Sequence, residues 1–266
     1  MKKLLLAWAA CLLPALLAGC AGGPPINTDY VSRNQDSRVQ FLIIHFTSEG
    51  FASSLRELTV GKVSSHYLVK DNPPTIYRLV DESRRSYHAG VSSWKGQTQL
   101  NASSIGIEIV NLGNRDAIDG TQYQDYPPEQ IEVVVQLVKK IVAEHQIRPD
   151  RVLGHSDIAP QRKVDPGPKF PWKRLADEGL VLWPDATLVA QRLPGYQQQL
   201  PDVTWFQSKL AEHGFGIAVN GELDAPTRRV IAAFQMKYRP SRFDGEPDAE
   251  TAALLDVLTS PVTPTK

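Results

Sequence analysis

Cysteine is scarce in this chain, and the scarcity excludes one device that exported proteins commonly use. Only two cysteines occur among the 266 residues, Cys11 and Cys20. Residues 1–19 have the pattern of an export signal, because Lys2 and Lys3 precede an apolar stretch that ends in small residues. Cleavage of that signal would remove Cys11. The mature chain is therefore expected to keep one cysteine and to form no internal disulfide.

An excess of charge and a long apolar run are also missing. Lysine and arginine together number 29, and aspartate and glutamate together number 29. A protein that binds nucleic acid usually carries a basic face, so this balance argues against a nucleic-acid partner. The apolar stretch of residues 4–18 is shorter than the roughly 20 residues that cross a bilayer. It predicts a cleaved signal and not a membrane span.

The signal ends in residues 17–20, LAGC, which resemble the bacterial lipobox. The resemblance implies cleavage before Cys20 and acylation of its thiol. Ala21 and Gly22 follow where an inner-membrane lipoprotein has Asp, so the resemblance implies an outer-membrane lipoprotein that faces the periplasm. The alternative is an ordinary cleaved signal with an incidental cysteine.

Composition divides the rest of the chain into four segments. The first segment is polar and contains Gly and Pro. This composition predicts a tether, and the alternative is a folded arm. A linker is predicted where prolines and a glutamine run interrupt the apolar pattern. The predicted segments are a tether over 20–38, a first domain over 39–182, a linker over 183–199 and a second domain over 200–260.

The first domain alternates strand and helix patterns, which predicts an α/β fold with a mixed β-sheet covered by helices. Its longest helix pattern places apolar residues at helical spacing between flanking prolines. The predicted strands are 39–46, 66–70, 75–80, 105–110 and 151–154, and the predicted helices are 53–60 and 129–146, with a further helix beginning at 172.

The second domain contains a short internal repeat. Residues 221–227, GELDAPT, recur as residues 245–251, GEPDAET. Each copy supplies a turn glycine and an aspartate that can cap the helix after it. With a third helix over 202–213, the pattern predicts a small three-helix domain.

Three residues have the composition of a catalytic metal site. His45 closes the apolar run VQFLIIHF, His155 follows RVLG, and Asp165 lies in the loop after His155. Two imidazoles and one carboxylate bind zinc and leave a fourth position for water, which is typical of catalytic sites. The long spacing means that only a fold can bring them together.

Two charged residues accompany this set. Glu108 lies on the strand IGIEIV, on the face opposite the isoleucines. A carboxylate among strand apolars is rarely buried without a partner or a purpose. Beside His45 it could hold the attacking water or take its proton, whereas on a solvated strand face it would have no role. Lys163 precedes Asp165 by two residues, so it either stabilises an oxyanion or is a surface lysine.

Three further residues are candidate substrate contacts. His66 begins a predicted strand and is either structural or part of the cleft. His88 lies in a glycine-containing loop close to Trp94. Loops of this kind often touch substrate, although a surface position is the alternative for His88.

The segments that contain His45, Glu108 and the loop from His155 to Gly167 resemble the zinc-dependent N-acetylmuramoyl-L-alanine amidases. These are related to phage amidase-lysozymes and to peptidoglycan recognition proteins. The resemblance covers about residues 39–180. It implies zinc bound by His45, His155 and Asp165, with catalytic roles for Glu108 and Lys163.

The resemblance implies hydrolysis of the amide between N-acetylmuramic acid and L-alanine in peptidoglycan or its fragments. Residues 200–258 are similar to the three-helix peptidoglycan-binding domain, with a bundle that only packs on the first domain as the alternative. The implied partners are peptidoglycan, muropeptides and, through the N-terminal lipid, a membrane. Two alternatives remain for the whole chain: a non-catalytic peptidoglycan-binding lipoprotein, and a zinc hydrolase that cuts another bond of the stem peptide.

Overall fold

The computed structural model describes residues 24, 26–114 and 122–260, which belong to two units that divide after Asp36. In the first unit the described residues are exposed and form neither helix nor strand. The Asn27 side chain there accepts a hydrogen bond from the Asp29 backbone at 2.8 Å. The predicted signal and Cys20 lie outside the described residues. No helix within the described ranges is long and apolar enough to cross a bilayer.

The second unit is built on a mixed sheet, as predicted. Its five strands lie in the order β3-β2-β6-β1-β7, and a separate pair is formed by β4 and β5. Only the β2–β3 pairing in the main sheet is antiparallel. The strands are β1 (Phe41–Phe46), β2 (Tyr67–Lys70), β3 (Thr75–Arg78), β4 (Ser93–Trp94), β5 (Gln97–Thr98), β6 (Ser104–Ile109) and β7 (Val152–Gly154).

Eight α-helices occur in the described part of this unit. Four of them match the helices predicted at 53–60, at 129–146, from 172 and over 202–213, and four follow the sheet domain. The helices are α1 (Phe51–Val60), α2 (Pro128–His145), α3 (His155–Ile158), α4 (Trp172–Ala176), α5 (Ala186–Gln198), α6 (Val203–His213), α7 (Ala225–Tyr238) and α8 (Ala249–Thr259).

The two faces of the sheet are covered by different parts of the chain. Central parallel strands are apolar on both sides because helices pack against both faces. One face packs against α2, through residues that include Leu42, Ile44, Ile105, Ile107, Val134, Val138 and Ile141. The other face carries Phe41, Ile43 and Leu153, which share a core with Phe206 of α6 and Phe234 of α7.

The C-terminal helices therefore pack directly on the sheet domain. The predicted aspartate caps are confirmed: Asp224 accepts from the Thr227 backbone and Asp248 from the Thr251 backbone, each at 2.8 Å.

The predicted linker at 183–199 contains a helix, α5, which packs against α8. Residues 200–260, where the repeat predicted three helices, contain α6, α7 and α8, and α5 precedes them.

The helix α5 contains Pro194, and contacts at its N-terminus and along its length stabilise it. Asp185 caps it by accepting from the Thr187 and Leu188 backbones at 2.8 and 3.0 Å. Further along the helix, Arg192 forms an ion pair with Asp256 of α8 at 2.7 Å.

A buried ion pair joins the C-terminal helices to the sheet domain. Lys237 of α7 donates to Asp157 of α3 at 2.7 Å, and both side chains are almost fully buried. The same ammonium lies 3.3 Å from the Val152 carbonyl and 4.3 Å from the centre of the Trp172 ring. The Asp157 carboxylate also accepts from the Gly154 backbone at 2.8 Å. The lysine thus fixes the segment in which β7 meets α3.

We expect Lys237→Met to lower the free energy of unfolding by about 3–5 kcal/mol, because it leaves the Asp157 carboxylate buried without its cation. Urea denaturation of the full chain measures this change. Lys209→Met removes a partly exposed lysine that pairs with Glu212 at 2.8 Å. That control should cost about 0–1 kcal/mol. Equal losses in the two variants would contradict a special contribution from the buried pair.

Candidate active site

The fold brings together the three residues predicted to bind metal. His45 lies near the end of β1, and His155 begins α3 directly after β7, the strand that pairs in parallel with β1. Parallel neighbours end at the same edge of a sheet, so the two imidazoles meet there. Their Nδ1 atoms are 2.9 Å apart and lie 3.0 and 3.1 Å from Oδ2 of Asp165. All three side chains are buried.

The loop that carries Asp165 is held by backbone contacts. The Asp165 carbonyl accepts from the Ser156 backbone at 2.8 Å, and the Tyr126 hydroxyl donates to the Pro166 carbonyl at 2.8 Å. A side chain at Gly154 would bring its Cβ to 2.7 Å from the Pro166 ring. Glycine at position 154 therefore lets the loop approach the end of β7.

The charges of these groups suit a cation. Burial lowers the pKa of His45 to about 4, so its imidazole is neutral near pH 7. Burial alone would raise the pKa of Asp165, but electrostatic attraction by His155 and hydrogen bonds with His155 and His45 hold it well below its usual range. A tetrahedral zinc with bonds of about 2.0–2.1 Å keeps its ligand atoms roughly 3.3 Å apart. The donor types and their spacing fit zinc.

A second group of potential ligands among the described residues fits an ion-pair network instead. It consists of Glu82, Glu144 and His145. The Lys140 ammonium lies 3.8 Å from Glu82 and 2.8 Å from Glu144, and His145 lies 2.6 Å from Glu82. These contacts already pair both carboxylates within the network.

Glu108 lies beside His45, on the neighbouring strand. The parallel register of β1 and β6 pairs His45 directly with Glu108, so both side chains point to the same face. Oε2 of Glu108 is buried and has no hydrogen-bond partner among the residues that the structure describes. Burial, followed by the negative charge of Asp165, raises the pKa of Glu108 well above its usual value. An unpartnered carboxylate at this position can exchange a proton with a molecule in the cleft.

The cleft above these residues has a volume of about 920 Å³. Residues of α1 form one wall, and Lys163 lies half-buried in the lining together with Glu108 and the three candidate ligands. The positive charge of Lys163 opposes the rise in the Glu108 pKa. Lys163 is thus in the cavity and not a surface lysine away from it.

The three candidate substrate contacts occupy different places. His88 lines the cleft, although it is buried and its Nδ1 lies 3.0 Å from Nε2 of His45. His66 is fully buried, and its Nδ1 accepts from the Gly106 backbone at 3.0 Å. Trp94 is buried against His213 and Phe215 of the C-terminal region. His66 and Trp94 therefore support the fold away from the cleft, which corrects their assignment as substrate contacts.

Sequence reasoning missed two residues near the site. Arg162, which precedes Lys163 in the loop, donates to the carbonyls of Ala89 and Val91. Tyr126 holds the loop after Asp165 through its hydroxyl. Neither has a local pattern in the sequence that separates it from an ordinary surface arginine or core tyrosine.

Comparison with known proteins identifies the family. A family model described as N-acetylmuramoyl-L-alanine amidase matches residues 35–168, and a peptidoglycan binding domain model matches residues 199–255. Over 258 residues the chain is 42% identical to the N-acetylmuramoyl-L-alanine amidase AmiD of Escherichia coli K12. That alignment covers 91% of this chain and 93% of the relative. The chain belongs to the N-acetylmuramoyl-L-alanine amidase family.

Two solved amidase structures are similar over most of the chain. One is E. coli AmiD with the substrate anhydro-N-acetylmuramic acid-L-Ala-D-gamma-Glu-L-Lys, at a TM-score of 0.80 and 41% identity, covering 88% of this chain and 93% of that one. The other is AmpDh3 from Pseudomonas aeruginosa with an anhydromuramic pentapeptide, at 0.81 and 37%, covering 88% and 96%. The predicted α/β fold with a following helical region and the prediction of an amidase are confirmed.

Proposed function

We propose that this amidase is a zinc enzyme that hydrolyses the amide between N-acetylmuramic acid and L-alanine in peptidoglycan fragments. The observation that carries the proposal is the convergence of His45, His155 and Asp165 beside an unpartnered Glu108 in one cleft. The family and the two similar structures support the choice of bond.

The substrates we favour are muropeptides that end in an anhydro sugar. Both similar structures contain an anhydromuramic acid joined to a peptide. The volume of the cleft, about 920 Å³, lies near the upper end of the range usual for small-molecule sites. It can hold a sugar together with the first residues of a stem peptide. The C-terminal helices, which match the peptidoglycan binding domain, would bind the polymer.

Different side chains of the cleft can carry out different steps of the reaction. Zinc, when bound, polarises the scissile carbonyl and lowers the pKa of water. Glu108 takes a proton from the attacking water and passes it to the leaving amine. The ammonium of Lys163 stabilises the negative charge that develops on the carbonyl oxygen.

Product identification tests this function. Digestion of purified peptidoglycan and of anhydro-muropeptides should release peptides that begin with a free L-alanine amine, together with sugar that carries a free lactyl carboxylate. Mass analysis distinguishes these products from fragments cut at another stem bond. Binding without any cleavage would instead support the non-catalytic alternative.

We propose that Cys20 carries a lipid which holds the enzyme on the outer membrane, facing the periplasm. The support is the LAGC sequence at residues 17–20, followed by Ala21 and Gly22. We expect Cys20→Ser to leave an uncleaved precursor that takes up no labelled fatty acid, while the wild type is labelled. Cys11→Ser is the matched control and should be processed normally. Equal labelling of wild type and Cys20→Ser would place the lipid elsewhere, and wild type in the inner membrane would contradict the sorting.

A further inference from the structure

The two candidate ligand histidines are oriented alike. Each turns Nδ1 towards the other and towards Asp165, as the separations of about 3 Å described above show. Their outer nitrogens, Nε2, meet two adjacent residues of one loop. Nε2 of His45 lies 3.0 Å from Nδ1 of His88, and Nε2 of His155 lies 3.2 Å from the Ala89 carbonyl.

The direction of each hydrogen bond behind His45 follows from one fixed acceptor. The Leu100 carbonyl can only accept, so the Ser104 hydroxyl 2.6 Å away must donate to it. Ser104 Oγ then accepts from Nε2 of His88, at 3.2 Å. A neutral imidazole has one N–H, so Nδ1 of His88 has only a lone pair and must accept from Nε2 of His45. Nδ1 of His45 is left with a lone pair that faces the metal position.

The same logic applies to His155. The Ala89 carbonyl accepts only, so Nε2 of His155 donates to it and Nδ1 keeps a lone pair. Arg162 donates to this carbonyl as well, and its Nη2 lies 3.3 Å from Nε2 of His155 because two donors converge on one oxygen. Arg162 also donates to the Val91 carbonyl at 2.8 Å, which holds the loop in place.

Further contacts hold the loop close to the histidines. The Asn101 side-chain oxygen accepts from the backbones of His88 and Ala89, at 3.1 and 2.7 Å. The His88 ring lies directly over Gly106 of β6, where a Cβ would come within 2.5 Å of the ring. Glycine at 106 thus provides the space that brings His88 to His45.

We propose that the segment His88–Ala89 fixes both ligand histidines as Nε2–H tautomers, with His88 as the positioning residue for His45. The inference rests on the proposed zinc site. Outer partners of this kind orient metal-binding histidines and raise their basicity, and their loss typically lowers metal affinity about 10–100-fold. His88 acts through His45 and has no need to touch the substrate.

Zinc affinity of the full chain tests the proposal by competition with a chelator. We expect His88→Phe, which keeps a ring but removes the acceptor, to bind zinc about 10–100-fold more weakly. His88→Asn places an oxygen near the position of Nδ1 and should restore most of the affinity. Ser104→Ala should cause a smaller loss. The control Ser86→Ala removes a hydroxyl 2.7 Å from Nδ1 of His66, a histidine that does not face the metal position, and should change nothing.

A spectroscopic measurement separates positioning from general support of the fold. In the zinc-loaded wild type, nuclear magnetic resonance should detect scalar coupling across the bond from Nε2–H of His45 to Nδ1 of His88. Folded His88→Phe with unchanged zinc affinity, equal losses in the Phe and Asn variants, or a missing coupling would each overturn the proposal. A wild type that takes up no zinc would overturn the metal site itself and this inference with it.

Discussion

Removal of zinc should abolish cleavage, and added zinc should restore it. The site places two imidazole nitrogens and one carboxylate oxygen about 3 Å apart in a buried position. Such a set has the donors of a catalytic zinc site, and the chemistry proposed above needs that cation. His155→Ala should lose both the metal and the activity. Metal analysis of the purified protein and product release from anhydro-muropeptides measure the two effects.

The second histidine-and-carboxylate group supplies the control for this experiment. His145→Ala removes a histidine from the cluster with Glu82 and Glu144, both of which already pair with Lys140. That variant should keep about one zinc per chain. Full activity in metal-free protein would contradict the mechanism. Equal zinc loss from His145→Ala and His155→Ala would show that the metal does not belong to His155.

The strand faces that carry His45 and Glu108 could be predicted from the sequence because strand periodicity is local. Alternation places each residue on a known face of its strand, and two apolar runs that are covered on both sides predict neighbouring parallel strands. The direct register between these two residues depends on tertiary packing, and only the structure gives it. Asp224 and Asp248 were predictable as caps for the same reason, since capping is decided within one turn.

The position of the C-terminal helices could not be predicted in this way. An amphipathic helix shows one apolar face whether it packs within its own bundle or on another domain. Phe206 and Phe234 therefore have the pattern of bundle residues, although they share a core with Phe41 of the sheet. The pair between Lys237 and Asp157 lies across the same contact. The helices thus have a structural role at the sheet domain, beyond the binding role that their family match supports.

The assignment of His66 and Trp94 as substrate contacts was wrong for a related reason. A histidine at the start of a strand, or a tryptophan in a loop, can either line a cleft or be buried in the core. His66 is fixed by the Gly106 backbone, and Trp94 by a ring contact with Phe215, about 120 residues later in the chain. These partners are distant in sequence, so no local pattern distinguishes the two outcomes. His88 does line the cleft, and its ring contacts His45.

Glu108→Gln should lower the rate of amide cleavage by about 10²–10⁴-fold while zinc stays bound. The substitution nearly preserves the shape of the side chain but removes the group that accepts the proton. The carboxylate is suited to this role because Oε2 is buried without a hydrogen-bond partner, next to His45 in the strand register. A glutamine there cannot take up the proton of the water or return one to the amine. Single-turnover rates on a soluble anhydro-muropeptide, together with zinc analysis, measure the change.

The matched control is Glu57→Gln, the same substitution on α1 in the wall of the same cleft. Glu57 accepts from the Lys62 backbone at 3.3 Å and is not paired in register with a candidate ligand. Its glutamine variant should cleave at close to the wild-type rate. A near-normal rate in Glu108→Gln would remove Glu108 from the reaction. Loss of zinc from that variant would show that Glu108 supports the metal, and the proton would then need another acceptor in the cleft. Lys163, as a cation, cannot be that acceptor.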